Sequence, residues 1–268
     1  MVGLKDAQRE VASGIRQATG EIVPELKDVD NKIILKWYDG VRDIYNKANE
    51  YIKENTCEKG YFTIVQYDDG PLLKLPENTM IYGACSGKIP IPLIYQDTDN
   101  KLATFKQSLT QSQPSHNRDI LCSFIGTNTH ICRGKMYNIL SNKPGFILND
   151  TGGWNPCVIK SRQDNFINNT LKSKFGLAPR GYGRGSFRFY EIIQLGTIPI
   201  YIWDDIEWLP YKSLIDYSQF AISINISNLD QLPSILNDII NTGKYETMIE
   251  NLEKNPNAIR PEHFRQEI

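Results

Sequence analysis

The chain has no apolar run long enough to span a bilayer, and its opening residues, MVGLKDAQREVASGIRQATG, lack the apolar core of a secretory leader. We therefore expect no integral membrane segment and a soluble, cytoplasmic protein. Charge of one sign is also missing. With 30 basic against 31 acidic residues and a net charge of −1, the chain has no broad cationic field, so it is not expected to coat nucleic acid, and any positive site must be local. Cysteines are few, at positions 57, 85, 122, 132 and 157, odd in number and without C-x-x-C spacing, which reads as reduced core thiols. The histidines, at 116, 130 and 263, do not cluster with them, so no zinc site is expected. Internal repeats and low-complexity tracts are absent. Sequons at Asn149, Asn168 and Asn225 are short enough to arise by chance and do not establish secretion.

What remains is an ordinary globular composition, 268 residues with 40% hydrophobic, enough for two small α/β domains. Residues 6–17 and 41–55 have the spacing of surface helices, and residues 32–37 and 61–67 that of strands. A further apolar stretch covers 79–85. The prolines of the following run, 88–94, predict an edge or exit segment. Residues 97–118 turn polar and read as a linker, after which residues 120–125 open a second domain as a strand. The expected division is 1–110 and 111–268.

The most informative stretch is 173–205, SKFGLAPRGYGRGSFRFYEIIQLGTIPIYIWDD. Residues 175–179 predict a buried strand and 187–195 a helix. Ser186 suits the N-cap, Gly196 the C′ stop, and residues 198–203 the next strand. The turn between them, Arg180-Gly181-Tyr182-Gly183-Arg184-Gly185, has three glycines that permit positive φ and close approach of backbone N–H groups to a ligand. A helix N-terminus beside two arginines is suited to a diphosphate. A disordered Arg-Gly tract or a plain structural turn with solvated arginines are the competing readings. Glu191 either pairs with Arg188 as an i, i+3 bridge or points into a cleft, where it could accept ribose hydroxyls.

Ser-Lys-Phe-x-Leu-x-Pro-Arg-Gly, then Gly-Ser-Phe-Arg-Phe-x-Glu, a Gly-x-x-Pro strand entry, an acidic pair, Leu209-Pro210-Tyr211 and Ile215-Asp216-Tyr217-Ser218 together resemble the exostosin family, glycosyltransferase family 47. Residues 118–126, RDILCSFIG, are similar to the entry of that family's C-terminal half. The resemblance implies a GT-B fold, two Rossmann-like domains facing across a cleft, and inverting, metal-independent transfer of sugar from a UDP-sugar to a glycan acceptor. It places donor binding on Arg133, Arg180, Gly181, Arg184, Gly185, Ser186, Phe187, Arg188 and Glu191, with no cofactor and no metal; the oligomeric state is open, a monomer being favoured. Many family members are Golgi-anchored. This chain is similar to anchor-less members from large DNA viruses of algae, which implies UDP-xylose as donor and a host-cytoplasmic location, or else it is a truncated Golgi enzyme.

Inverting transfer also needs a base on the acceptor side, because a sugar hydroxyl is a poor nucleophile until its proton is removed. The strand over 61–67 runs into Asp68-Asp69-Gly70-Pro71, at a strand's C-terminal end where open α/β sheets bind ligands. The family resemblance selects Asp68, with Asp69 as the fallback; an Asp-Gly turn shaped by local hydrogen bonding is the competing reading. Two alternatives stand beside this one. A metal-dependent GT-A transferase would use Asp97-Thr98-Asp99 or Asp28-Val29-Asp30, and a non-catalytic member would bind nucleotide sugar or glycan without turnover.

Overall fold

Large apolar side chains at alternate positions make residues 120–126, 173–179 and 198–203 strands with both faces buried. A computed structural model describes residues 46–71, 74–93, 118–153 and 160–254. After helical residues 46–54 come β1 (Tyr61–Val65), β2 (Thr79–Gly83), β3 (Ile89–Pro90), β4 (Ile120–Gly126), α1 (Ile131–Leu140), β5 (Phe146–Asp150) and α2 (Lys160–Lys172). There follow β6 (Ser173–Pro179), α3 (Phe187–Gln194), β7 (Ile198–Trp203), β8 (Ile222–Asn225), α4 (Leu232–Asn241) and α5 (Lys244–Lys254). The segments expected at 6–17 and 32–37, the Asp28/Asp30 and Asp97/Asp99 pairs, and the linker except Arg118 lie outside the described residues. Among those residues no helix is long and apolar enough to cross a membrane.

Two compact units divide the described chain: one holds residues 46–61, 71 and 74–79, the other 62–70, 80–93, 118–153 and 160–254. In the smaller, Tyr61 ties the end of the helical segment to its exit, its hydroxyl donating to the Asn55 carbonyl at 2.8 Å and accepting from the Cys57 N–H at 2.9 Å. The larger carries a five-stranded, wholly parallel sheet in the order β5-β4-β6-β7-β8. A three-stranded sheet, β1-β2-β3, contains the proline-bearing strand β3, which pairs with β2 in parallel at its edge. The α/β class with parallel sheets agrees with the expectation.

Period-two alternation sorts the five-stranded sheet into two faces. Phe124, Phe175, Leu177, Ile198, Ile200 and Ile202 join α1, α4 and α5 in one core, while Ile125, Ala178 and Tyr201 join α2 and α3 in the other. Gly176 lets α3 lie directly on β6, since a Cβ there would meet the Ile192 side chain at 2.8 Å. From β4 the chain moves outward through α1 to β5, then returns to β6 on the other side of β4. The loops leaving β4 and β6 thus diverge to opposite faces. Such a switch in strand order opens a crevice at the C-terminal ends of the two strands, where ligands of doubly wound sheets bind.

Arg118 fastens the opposite end of the sheet. Its guanidinium, 9% exposed, donates to the carbonyls of Ser173 at 2.6 Å and Gly196 at 2.9 Å, and also to Thr197 Oγ1. It therefore ties the starts of β4, β6 and β7. Replacing Arg118 with methionine leaves these buried acceptors unpaired and is expected to lower stability by about 2–4 kcal/mol. A lower denaturation midpoint at unchanged m value is the check.

Candidate active site

The turn after β6 sits at the switch point, but its glycines are there for a different reason than the sequence suggests. None of Gly181, Gly183 and Gly185 has positive φ, whereas Gly196 at the C-terminus of α3 does, at 70°. What these glycines provide is close approach of other protein segments. A Cβ on Gly183 would lie 2.6 Å from Cys85 Cβ and 2.7 Å from its Sγ, and closer still to Asp68 Oδ1. On Gly185 it would lie 2.5 Å from the Ala84 carbonyl, and on Gly181 3.2 Å from Arg133 Nη2. Side chains at these positions would drive the turn away from Asp68 and Cys85.

The turn is not a bare cationic cradle. Arg180 Nη1 pairs with Asp204 at 2.7 Å and Asp205 at 2.8 Å, and its Nη2 donates to the Tyr182 carbonyl at 2.9 Å. Arg184 grips Asp205 through Nε at 2.8 Å and Nη2 at 2.7 Å, and lies 5.4 Å above the Trp208 ring. The carboxylates reach the turn because β6 and β7 are parallel neighbours in register Pro179↔Ile202, so both strands end at the same level. Partial burial opposes ionisation of Asp205, but hydrogen bonds from Arg184 and the Ile206 N–H, with the charge of Arg180, hold its carboxyl well below the usual range. Two cations and two anions thus cancel locally. His130, the N-cap of α1, accepts from the Cys132 N–H at 3.2 Å and stands 3.9 Å from Asp204. Burial and then the charge of Arg180 push its pKa down, against the opposing pull of Asp204.

Among the described residues no carboxylate pairs with Arg133, in the first turn of α1. Its hydrogen bonds all run to backbone carbonyls, Thr127 at 2.7 Å, Arg180 at 3.1 Å and Pro179 at 3.5 Å, which places it between the loops leaving β4 and β6. Burial, reinforced by the like charge of Arg188, lowers its pKa to about 10, still cationic at neutral pH. A half-buried guanidinium with no carboxylate partner among the described residues carries a charge that an anion at the switch point could neutralise.

Glu191 takes the first of the two orientations open to it. It accepts from Arg188 Nη1 at 2.5 Å, and Arg188 in turn lies 3.7 Å from the centre of the Phe166 ring, so the pair is held rigidly on α3. Ser186 occupies the N-cap position in extended backbone, but its hydroxyl donates to the Pro179 carbonyl at 3.2 Å and caps no N–H group. Phe187, the first residue of α3, is 44% exposed.

Asp68 follows β1 in a turn closed by Gly70, whose φ is 88° and whose N–H donates to the Tyr67 carbonyl at 3.2 Å. Part of the residue faces solvent, while Oδ1 is packed against Gly183 and Cys85. Desolvation raises its pKa above the ordinary carboxylate value; the Cys85 thiol, donating to the carboxylate, and the charges of Arg180 and Arg133 oppose that rise, while Asp69 adds to it. A carboxyl with raised pKa is better matched to proton abstraction near neutrality. Asp69 is exposed beside it. Asp68, Cys85, Gly183, Arg133 and Glu191 all belong to the larger unit. An open groove of about 640 Å³, lined in part by Glu207, Lys212, Leu214, Asp216 and Lys244, contains none of these five residues. Among the free cysteines, Cys85, Cys122 and Cys132 are buried and Cys57 is exposed, while Cys157 lies outside the described residues.

Sequence reasoning missed Cys85 and His130 as neighbours of this site. A histidine just before a helix after β4 was a usable signal; nothing local distinguished Cys85 from other core cysteines.

Three relatives match over short stretches. Exostosin-1 of Drosophila melanogaster is 40% identical over 89 residues, 32% of this chain and 11% of its own length. An Exostosin-1 homolog of Caenorhabditis elegans is 38% identical over 65 residues, 24% of this chain and 16% of its own. A probable glucuronosyltransferase of Oryza sativa subsp. japonica is 29% identical over 83 residues, 31% of this chain and 19% of its own. The chain therefore spans well under a fifth of the first two. The Exostosin GT47 domain matches residues 89–239, just over half of the 268 residues, and this stretch contains the switch-point loops, Arg133, the glycine turn and Glu191. The chain belongs to the exostosin GT47 family.

Proposed function

We propose that the protein moves a sugar from a UDP-sugar to a hydroxyl of a glycan acceptor, with inversion at the anomeric carbon and without a metal. Asp68 removes the acceptor proton as the oxygen attacks the anomeric carbon. The bond from that carbon to the diphosphate breaks on the opposite face, and its electron pair leaves with UDP. Arg133 and the N-terminal turns of α1 and α3 stabilise the charge that develops on the diphosphate, the task a divalent metal performs in other transferases. Glu191, although its Oε2 is paired with Arg188, offers its other carboxylate oxygen to the ribose hydroxyls. Arg180, Arg184, Gly181, Gly185 and Ser186 shape the turn around the donor. In this reading the acceptor side comes from residues before 111, the donor side from residues after, and the protein acts as a monomer. UDP-xylose is the first donor to test and UDP-glucuronate the second, because one relative is named as a glucuronosyltransferase.

The observation that carries this reading is that the Asp68 carboxylate packs against the same turn whose neighbour is Arg133. UDP is expected to raise the melting temperature and to bind independently of EDTA. Glu191→Ala should weaken UDP binding about tenfold, the loss of a charged hydrogen bond. No binding of UDP at millimolar concentration would overturn the donor assignment, and Mn²⁺-dependent activity the metal-free one. Internal pairing of both turn arginines gives the non-catalytic reading its support: that reading prevails if UDP binds and no acceptor in a broad panel receives sugar.

A further inference from the structure

Asp68 projects from a turn whose backbone is held by a hydrogen bond between residues on either side of it, and part of the residue is open to water. Left to itself, a carboxylate in that setting samples several rotamers. Cys85 is the opposite kind of residue. It is 1% exposed, in the connection from β2 to β3, and packed in the same core as Ala84, Tyr190 and Tyr201. Two contacts converge on its sulfur. The Asp68 carboxylate and the sulfur crowd the same side of Gly183, and a Cβ on Gly185 would stand 3.1 Å from the sulfur; a thiol in that place lowers the carboxyl pKa by hydrogen bonding to it. Gly183 closes the arrangement, because the point where its Cβ would stand is already occupied by Asp68 Oδ1 and Cys85 Sγ.

We propose that Cys85, seated between Gly183 and Gly185, is a positioning residue for the base: its thiol aims the Asp68 carboxylate at the turn and holds it there. This rests on the reading of Asp68 as the base. Burial, followed by the charge and hydrogen bond of Asp68, pushes the thiol pKa up to about 12. The sulfur therefore keeps its proton wherever the protein works, donates at all times, and competes neither as a base nor as a nucleophile. The charged groups facing the carboxylate are Asp69 from its own turn, Arg180 from the glycine turn and Arg133 from α1, with Cys85 a neutral donor beside them. The glycine turn that borders the donor site is thereby coupled to the acceptor-side base through one sulfur atom. Displacement of the turn removes the Gly185 contact to that sulfur and opens the seat.

The test is a set of variants, Cys85→Ala, Cys85→Ser and Gly183→Ala, read by the pH dependence of kcat/KM and by ¹³C titration of the Asp68 carboxyl, with circular dichroism and melting temperature to verify folding. Loss of the thiol removes a hydrogen bond that favours the ionised carboxylate. Cys85→Ala should therefore move both the acid limb and the carboxyl titration to higher pH, and lower kcat about tenfold with donor KM unchanged. Cys85→Ser keeps a donor and should restore both. Gly183→Ala pushes Oδ1 off its seat and should lower kcat about a hundredfold. An unmoved acid limb and unmoved carboxyl titration in folded Cys85→Ala overturn the positioning role alone. A moved carboxyl titration with an unmoved pH–rate profile shows instead that Asp68 is not the base, and overturns the proposal together with the reading beneath it.

Discussion

Asp68→Asn is expected to lower kcat by about a thousandfold while leaving UDP affinity within a factor of about two, because the amide keeps the shape of the carboxylate and loses its proton-accepting power. The physical basis is the split between two sets of contacts. Asp68 Oδ1 and Cys85 lie against Gly183, whereas the groups proposed for the donor, Arg133, Arg188 and Glu191, project from α1 and α3. Single-turnover transfer with a radiolabelled donor measures the first quantity and calorimetry the second. The wild-type pH profile gives an independent check. Desolvation raises the pKa of Asp68, and a base works only when deprotonated, so activity should fall with decreasing pH at a value above that of an ordinary carboxylate. Full activity in Asp68→Asn excludes Asp68 as the base and transfers the question to Asp69.

The second large effect is expected at Arg133. Arg133→Ala should weaken UDP binding and lower kcat/KM about a hundredfold, since it removes a guanidinium of this crevice whose hydrogen bonds go to neutral carbonyls. Arg180→Ala is predicted to behave differently. It takes one cation from Asp204 and Asp205, leaving Asp205 to Arg184 alone of the two turn arginines, and loosens the turn, so its first consequence is a lower melting temperature. Arg133→Lys keeps the charge and loses the fork, and should recover part of the affinity. Equal UDP affinity in wild type and Arg133→Ala would remove Arg133 from the donor site.

Residues 173–205 were legible because each signal there is local. Alternating apolar residues made β6 and β7, Gly196 ended α3 at positive φ, and the helix began where Ser186 marked it. The resemblance carried by the same residues led to the family that also matches residues 89–239. Strand β1 ended earlier than its apolar pattern suggested, because the chain turns at Tyr67 to Gly70.

Other features depended on neighbours that spacing does not reveal. The sequence placed two arginines in a glycine turn and an acidic pair after the next predicted strand. It could not tell that parallel pairing of β6 with β7 would bring all four together and cancel their charge. Nor could it separate a glycine needed for positive φ from one needed for close contact; Gly183 is the second kind because Asp68 and Cys85, far away along the chain, occupy the space of its missing side chain. By itself, then, the sequence determined the element pattern, the family and the set of candidate residues, since these follow from short-range propensity and motif. Only the tertiary structure decided which arginines meet carboxylates and which carboxylate meets the turn, because charge compensation and desolvation are set by groups that folding brings into contact.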